Sequence, residues 1–366
     1  MSTREVFHWK GLRGLGNPSL LKLPKTVLLN SSQGKQPKGN ESWVEATRRA
    51  ADAVDAQQAI LTSIGLNTWE LVTYLAARNQ TPQVCLLLAH NPEEFERDAH
   101  EVATDFTLNW EQVCFLHLPL NKRSPKKSWK ERDRLAVSMA DTVYPISIKP
   151  RGQMADSLRN LTGGSIVCED FATEWTPSSP RKPYRLDRQR IEEEVDPETK
   201  GWLFHWTRAA DGPWPGERKG DYYRDVLISG SEYARSAERT LNRIVEEKRI
   251  RGSNWRIRGQ SKVVCFSARA PSRSAHLFSW RRRYARFTAE PYGIALHPGV
   301  AKEMGVTRVV YLPDGETPPR IPPYLQQAEG QVGFWPEEKE FRHEGDLSLA
   351  DLPRGSWEPL ILPFAP

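Results

Sequence analysis

A chain of 366 residues, 38% hydrophobic and 27% charged, is long enough to fill two hydrophobic cores of about 150 to 200 residues each. No apolar run approaches the roughly 20 residues that cross a bilayer, and the N-terminus MSTREVFHWKGLRG lacks the short apolar core of a secretory signal. A cytoplasmic protein is therefore expected, and its net charge of +6 favours an anionic partner.

From about Lys25 to Glu169, short apolar runs alternate with helical patterns. KTVLLNSS is followed by ESWVEATRRAADAVD, AILTSIG, NTWELVTYLAARN, QVCLLLA, NPEEFERDAHEVATDF and VCFLHLPL, with VYPISI and SIVCEDF later. Strands alternating with helices of this length predict βαβ units, and near-continuous apolar strands predict a parallel sheet covered on both faces. The first half is thus expected to be an α/β, doubly wound, Rossmann-like domain over residues 1–180. Its four cysteines, Cys85, Cys114, Cys168 and Cys265 counting the one further on, each lie in or beside an apolar run. Buried free thiols are expected, with no disulfide frame and no zinc spacing.

In doubly wound sheets, ligands bind where strands lead into helix N-termini. The first such loop is NSSQGKQPKGN, with Ser31 and Ser32; the second is TSIGLNTWE, with Gly65 as turn residue and Asn67 as cap. These four are candidate nucleotide contacts, and Asn40, before ESWVEAT, reads as an ordinary N-cap of the helix that follows. Neither the dinucleotide fingerprint nor a Walker loop is present. The stretch GLGNPSLLKLPKTVLLNSSQ and the later AILTSIGLNTWELVTYLAA resemble the Rossmann-like core shared by DNA-processing protein A and related nucleotide-binding domains. That resemblance implies a nucleotide or a nucleic acid as ligand, without settling which. A nucleotide glycosidase using Glu70 is a further alternative for this half.

Between Phe171 and Lys200, prolines, serines and mixed charge mark a linker, placed at 181–200. The second domain, 201–366, opens on GWLFHWTRAADGPWPG, a strand followed by a turn. RDVLISGSEYARSAERTLNRIVEEKRIRGSN reads as one helix ending at Gly252, VVCFSA as a strand and LFSWRRRYARF as a helix. PYGIALHPGVAKEMGVTRVVYLP reads as strand, short helix, strand, and FWPEEKEFRHEGDLSL as a strand then a turn. A smaller mixed α+β domain results.

Basic residues sit among aromatics in RSPKKSWKERDR, EEKRIRGSNWRIRG and FSWRRRYARF. Phosphates take the charge and bases the ring faces, so Lys126, Lys127, Arg281, Arg282 and Arg283 are candidate DNA or RNA contacts. The second domain also carries a dispersed polar set: His205, Thr207, Ser267, Tyr292, Glu338 and Glu340. On one strand the two glutamates would share a face. No metal spacing and no nucleophile elbow are present. A glutamate can stabilise the cation formed as nicotinamide departs, and a histidine can hold a ribose hydroxyl, so the set suits ADP-ribosyl transfer.

His205-Trp206-Thr207, Cys265-Phe266-Ser267, Pro291-Tyr292-Gly293-Ile294 and Glu338-Lys339-Glu340-Phe341-Arg342 resemble, in that order, bacterial abortive-infection and toxin-type domains distantly similar to ADP-ribosyltransferases. The resemblance implies an antiviral-defence or toxin-type effector using NAD as substrate. It assigns His205 to the ribose, Tyr292 to the nicotinamide ring and Glu338 or Glu340 to catalysis, with Thr207 and Ser267 as further contacts. A serine-threonine-serine second motif is missing. An inhibitory or regulatory protein partner is expected, and no membrane. The competing expectation is a non-catalytic nucleic-acid or partner-binding module.

Overall fold

In KTVLLN, every residue after the first is buried, as an almost wholly apolar strand requires when helices cover both faces of its sheet. The computed structural model describes residues 5–161, 164–177, 183–282, 285–313, 320–329 and 335–365. The chain divides into two compact units, Met1–Ser178 with Gly216–Ala234, and Ser179–Pro215 with Arg235–Pro366. No described helix is long and apolar enough to cross a membrane.

The first unit begins with a hairpin, β1 (Glu5–Trp9) and β2 (Leu12–Gly16), joined through Lys10 and Gly11. Both turn residues have positive φ, 47° and 82°, the geometry whose twist matches the flanking strands. Then come β3 (Lys25–Asn30), α1 (Ser42–Asp52), β4 (Ala59–Ser63), α2 (Asn67–Arg78), β5 (Gln83–Ala89) and α3 (Pro92–Asp105). After them follow β6 (Val113–Pro119), α4 (Pro125–Met139), β7 (Thr142–Ser147), α5 (Gln153–Arg159) and β8 (Ile166–Val167). The sheet order is β1-β2-β6-β5-β4-β3-β7-β8. From β6 to β8 every pairing is parallel, while β1 and β2 are antiparallel. The doubly wound parallel sheet is as expected; the edge hairpin was not foreseen.

Leu29, Leu61, Leu86 and Leu116, one from each central strand, pack with Trp69 of α2 and Val137 of α4. Cys85 and Cys114 are buried, whereas Cys168 and Cys265 are only partly so, against the expectation that all four are core. Helix starts also differ from expectation. Asn91 caps α3 by accepting from Glu94 N at 2.8 Å, with Pro92 at the first turn. Asn40 caps nothing, since α1 follows Glu41, and Asn67 lies inside α2.

The chain enters the second unit through α6 (Arg188–Arg190), continued by a π-helical turn at Ile191–Val195, and β9 (Leu203–Trp206). Part of the expected linker is therefore structured, and Ile191 is 1% exposed against Leu277, Phe278 and Leu362. The chain then returns to the first unit as α7 (Lys219–Ile228), a stretch expected in the second domain. Where one long helix was expected, the break at Ser229–Ser236 separates α7 from α8 (Ala237–Glu247). Gly230 at φ 60° allows the turn, and Ser236 Oγ starts the new helix by accepting from Arg239 N at 3.2 Å. Helix α8 stops at Lys248, in the left-handed region at φ 46°, not at Gly252.

The rest of the second unit is β10 (Arg249–Ile250), β11 (Val263–Ser267), β12 (Trp280–Arg281), β13 (Arg286–Phe287), β14 (Tyr292–Leu296), α9 (Pro298–Glu303) and β15 (Thr307–Arg308). It ends with β16 (Val310–Leu312), β17 (Gln326–Ala328), β18 (Glu340–Glu344), β19 (Leu347–Ser348) and β20 (Trp357–Ile361). Six strands form an antiparallel sheet in the order β15-β18-β11-β9-β14-β20. Leu241 and Ile244 of α8 cover one face through Leu203, Phe266, Ile294 and Leu296. The expected helix LFSWRRRYARF is instead the hairpin β12–β13, because Trp280 and Phe287 meet across it edge to face, centroids 5.1 Å apart.

Between β9 and β14 the backbones approach closely. A Cβ on Gly293 would lie 2.6 Å from the His205 carbonyl oxygen and 2.9 Å from the Trp206 ring. Gly293→Ala should therefore lower the unfolding free energy of the second unit by about 1 to 3 kcal/mol in urea denaturation, with Gly305→Ala, in open space but at φ 78°, as a comparison of strain without crowding.

Candidate functional site

The strands β9 and β11 form a single registered pair, Ser267 with Phe204, and then part. Ser253 takes the bridge to Val263 at the far end of β11. Into the gap turns the His205 imidazole, whose Nδ1 lies 2.9 Å from the Cys265 carbonyl oxygen. A carbonyl only accepts, so Nδ1 carries the proton, and Nε2 of the neutral ring is left as the acceptor. Burial pushes the His205 pKa down, favouring that neutral form. Nε2 has no partner among the described residues.

The gap opens into a cleft of about 770 Å³, within the range of small-molecule sites. His205, Thr207, Ser267, Glu338 and Glu340 all line it. By register, Ser267 and Glu340 face each other on one side of the sheet, whereas His205 pairs with Ile294 on the α8 side. Residues from both faces reach one cleft because the sheet splits there.

Glu338 is not on the strand. It ends a 3-10 turn at Trp335–Glu338, and β18 starts two residues later. The expected side-by-side pair on one strand is thus replaced by two carboxylates in different settings. Glu340 is held by the 97%-buried Arg342, whose Nε and Nη2 donate to its two oxygens at 2.8 and 3.0 Å. Arg342 also donates to the Tyr324 carbonyl at 2.6 Å and to Gln327 Oε1 at 2.7 Å, which fixes its plane. Glu338 has no such clamp; burial and the charge of Glu340 raise its pKa to about 7. Ser267 positions it by donating from Oγ to the Glu338 carbonyl at 2.8 Å.

Thr207 lines the cleft but its hydroxyl is used internally, 2.9 Å from the Ala237 carbonyl and 3.0 Å from that of Tyr292. Tyr292 is not among the lining residues; its ring packs towards Phe364, centroids 6.2 Å apart. Cys265 also lines the cleft, and burial with the neighbouring Glu340 pushes its thiol well up, away from a nucleophilic thiolate.

What the sequence did not single out is the arginine wall. Among the described residues, seven arginines line the cleft against four carboxylates. Trp255 carries Arg286 and Arg256 over its ring at 4.0 and 4.5 Å, and Trp214 carries Arg235 and Arg243 at 4.0 and 4.8 Å. The signal was present in the basic-aromatic segments at Glu246–Gly259 and Phe278–Phe287, which supply Trp255, Arg256 and Arg286. Of the residues named there, Arg281 donates from Nε to Thr288 Oγ1 at 3.0 Å, Arg282 is exposed, and Arg283 lies outside the described residues.

The candidate residues of the first unit serve its own loops. Ser31 Oγ accepts from Lys149 N at 2.9 Å, the Ser32 carbonyl accepts from Trp175 Nε1 at 3.2 Å, and Asn67 Nδ2 donates to the Gly34 carbonyl at 2.6 Å. Glu70 is engaged by Gly65 N at 3.1 Å, Lys219 Nζ at 2.9 Å and the Tyr223 hydroxyl at 3.0 Å. Gly65 has φ 89°, as a tight turn requires. A cavity of about 500 Å³ in this unit lies elsewhere, between α4 and α5, lined by Lys130, Arg134 and Gln153. Lys126 and Lys127 are exposed on α4, the latter 3.9 Å from Glu131.

Fold and site together define a parallel α/β unit combined with an antiparallel unit that carries an arginine-lined, carboxylate-bearing cleft. No protein-family model matches the chain, and no curated protein matches it. Among solved structures, the N-terminal region resembles DNA processing protein A from Streptococcus pneumoniae, at 15% identity and a TM-score of 0.33, over 41% of this chain and half the length of that one. It also resembles DNA processing protein A from Helicobacter pylori, described for its single-stranded DNA binding mode, at 18% identity and a TM-score of 0.30, over 43% of this chain and 77% of that one. The resemblance concerns the N-terminal region; the cleft belongs to the second unit.

With a folded pKa of about 7 against an ordinary 4.5, Glu338 keeps its proton in the folded protein after the unfolded chain has lost it. Its contribution to stability is complete below pH 4.5 and declines as the pH rises to about 7. Urea titrations at a series of pH values should show this decline in the native protein and a flatter profile in Glu338→Gln.

Proposed function

We propose that the second unit is the catalytic one and transfers ADP-ribose from NAD to a nucleic-acid or protein acceptor, while the first binds a nucleotide or nucleic acid. The observation that carries the proposal is the meeting of His205, Glu338 and Glu340 in one arginine-lined cleft. The size and charge of the cleft suit a dinucleotide carrying a diphosphate. The stacking role assigned to Tyr292 has no support, since its ring packs away from the cleft.

On this reading the bond between nicotinamide and ribose C1′ breaks, its electron pair leaves with the nicotinamide, and an acceptor nucleophile bonds to C1′. Glu340, fixed by Arg342, stabilises the positive charge that develops on the ribose. Glu338, with its pKa near neutrality, takes the proton that the acceptor gives up. His205 Nε2 accepts a hydrogen bond from a ribose hydroxyl. Such an activity suits a defence or toxin-type effector, the class its ordered motifs resemble.

A second reading is favoured by the excess of arginine alone: the cleft holds a nucleic-acid strand without turnover. It predicts binding that weakens steeply with salt and no consumption of NAD.

Incubation of the full chain with labelled NAD and DNA, RNA or protein acceptors should give label transfer whose rate rises through pH 7 as Glu338 ionises. Glu338→Gln and Glu340→Gln should each reduce it by about 10²- to 10⁴-fold. Absence of NAD binding at about 1 mM, the upper end of ordinary Michaelis constants, would defeat the proposal.

A further inference from the structure

Arg208 leaves the end of β9 and lines the cleft, yet its guanidinium makes no hydrogen bond and no ion pair with any described residue. Its one ring contact is with Trp255, at 5.7 Å. Arg256 and Arg286 lie over the same indole at 4.5 and 4.0 Å. Asp211 reaches Arg286 at 4.0 Å but does not pair with Arg208. Burial, and then the charge of Arg286, push the Arg208 pKa down.

Three guanidinium groups are thus gathered on one ring, and Arg208 among them is partly buried without a hydrogen-bonded carboxylate among the described residues, a state that costs stability unless an anion joins it. The fold nevertheless supplies the means to hold it, since an aromatic face attracts each cation and restrains its plane. A planar fork of N–H donors matches phosphate oxygens two at a time. Forks converging on one ring can take the oxygens of two adjacent phosphates, as in a dinucleotide's diphosphate.

We infer that Arg208, with Arg256 and Arg286 held on Trp255, forms a diphosphate-binding subsite that takes the ADP portion of a nucleotide. Only the identity of that nucleotide as NAD rests on the proposed function. Arg208 enters the site as a donor preserved for the ligand, and the strain of leaving it unpaired is relieved on binding.

Calorimetric titration of the full chain with ADP, AMP and inorganic phosphate tests this. ADP should bind more tightly than AMP or phosphate, and Arg208→Gln should weaken ADP by about 10- to 100-fold, the range for hydrogen bonds to a charged group. Arg208→Lys, which keeps the charge but not the fork, should recover only part of the loss. Without ligand, the Tm of Arg208→Gln should equal or exceed that of the native protein, because an unpaired cation has gone; a purely structural Arg208 would give a lower Tm. Unchanged ADP affinity in Arg208→Gln, a fall in its ligand-free Tm, or displacement of ADP by a single-stranded oligonucleotide at far lower concentration would overturn the subsite. If ADP binds through Arg208 while NAD is never consumed, the subsite stands and the transferase proposal falls. If NAD is consumed with a KM that Arg208→Gln leaves unchanged, the subsite falls alone.

Discussion

The parting of β9 and β11 after one backbone pair is the constraint on which the second unit's cleft depends. A continuous pairing would leave His205 on the α8 face and Glu340 on the other, with a sheet between them. Parting the strands exposes backbone groups that the ladder would have satisfied, and such groups need partners. His205 provides one, since its Nδ1–H meets the Cys265 carbonyl. The same hydrogen bond that satisfies the open edge fixes the tautomer and leaves Nε2 as the acceptor. On the other side, Glu290, 3% exposed, closes the end of β9 by accepting from Ala209 N at 2.6 Å and from the Tyr184 hydroxyl.

Around that opening, two carboxylates are separated by environment more than by sequence. Glu340 sits on a strand where Arg342 can meet both its oxygens, and Arg342 is itself tied to Tyr324 and Gln327. Glu338, two residues earlier, lies in a 3-10 turn fixed through its backbone by Ser267, which leaves its side chain without a cationic clamp. Burial, joined by the charge of Glu340, then outweighs the charges of Arg281 and Arg342 and raises the Glu338 pKa. Two neighbouring glutamates in settings this different are what acid-base chemistry requires of a pair.

In the first unit the polar loops expected to hold a ligand are occupied by their own chain. Tyr223 of α7, 1% exposed, reaches Glu70 at the start of α2, and Gly39 N and Asn40 N donate to Ser229 Oγ and the Gly230 carbonyl at 3.1 Å. Residues 216–234, far along the sequence, thus complete the packing of a unit whose own strands had ended by residue 167. Gly39 shows the closeness of that packing, as a Cβ there would stand 2.7 Å from the Val226 carbonyl oxygen.

The first unit's parallel sheet was legible because its strands are buried on both faces, so apolar runs such as KTVLLN, AILTS and QVCLLLA mark them without any knowledge of partners. Strand β9 and the triplet β14–α9–β15 were legible for similar local reasons. The β12–β13 hairpin was not, because the Trp280–Phe287 contact that forms it has no helical or strand periodicity to announce it. Nor was the α7 excursion, whose buried Tyr222, Tyr223 and Val226 say that it must pack but not against which unit. His205, Glu338 and Glu340 could be chosen from the sequence as chemically able residues, and Arg208 could not, since its distinction is a missing partner. Side-chain chemistry is a property of the residue and is carried by the sequence alone. Which face, which cleft and which charges stay unpaired depend on strand register and on the point at which two strands part, and these only the tertiary structure decided.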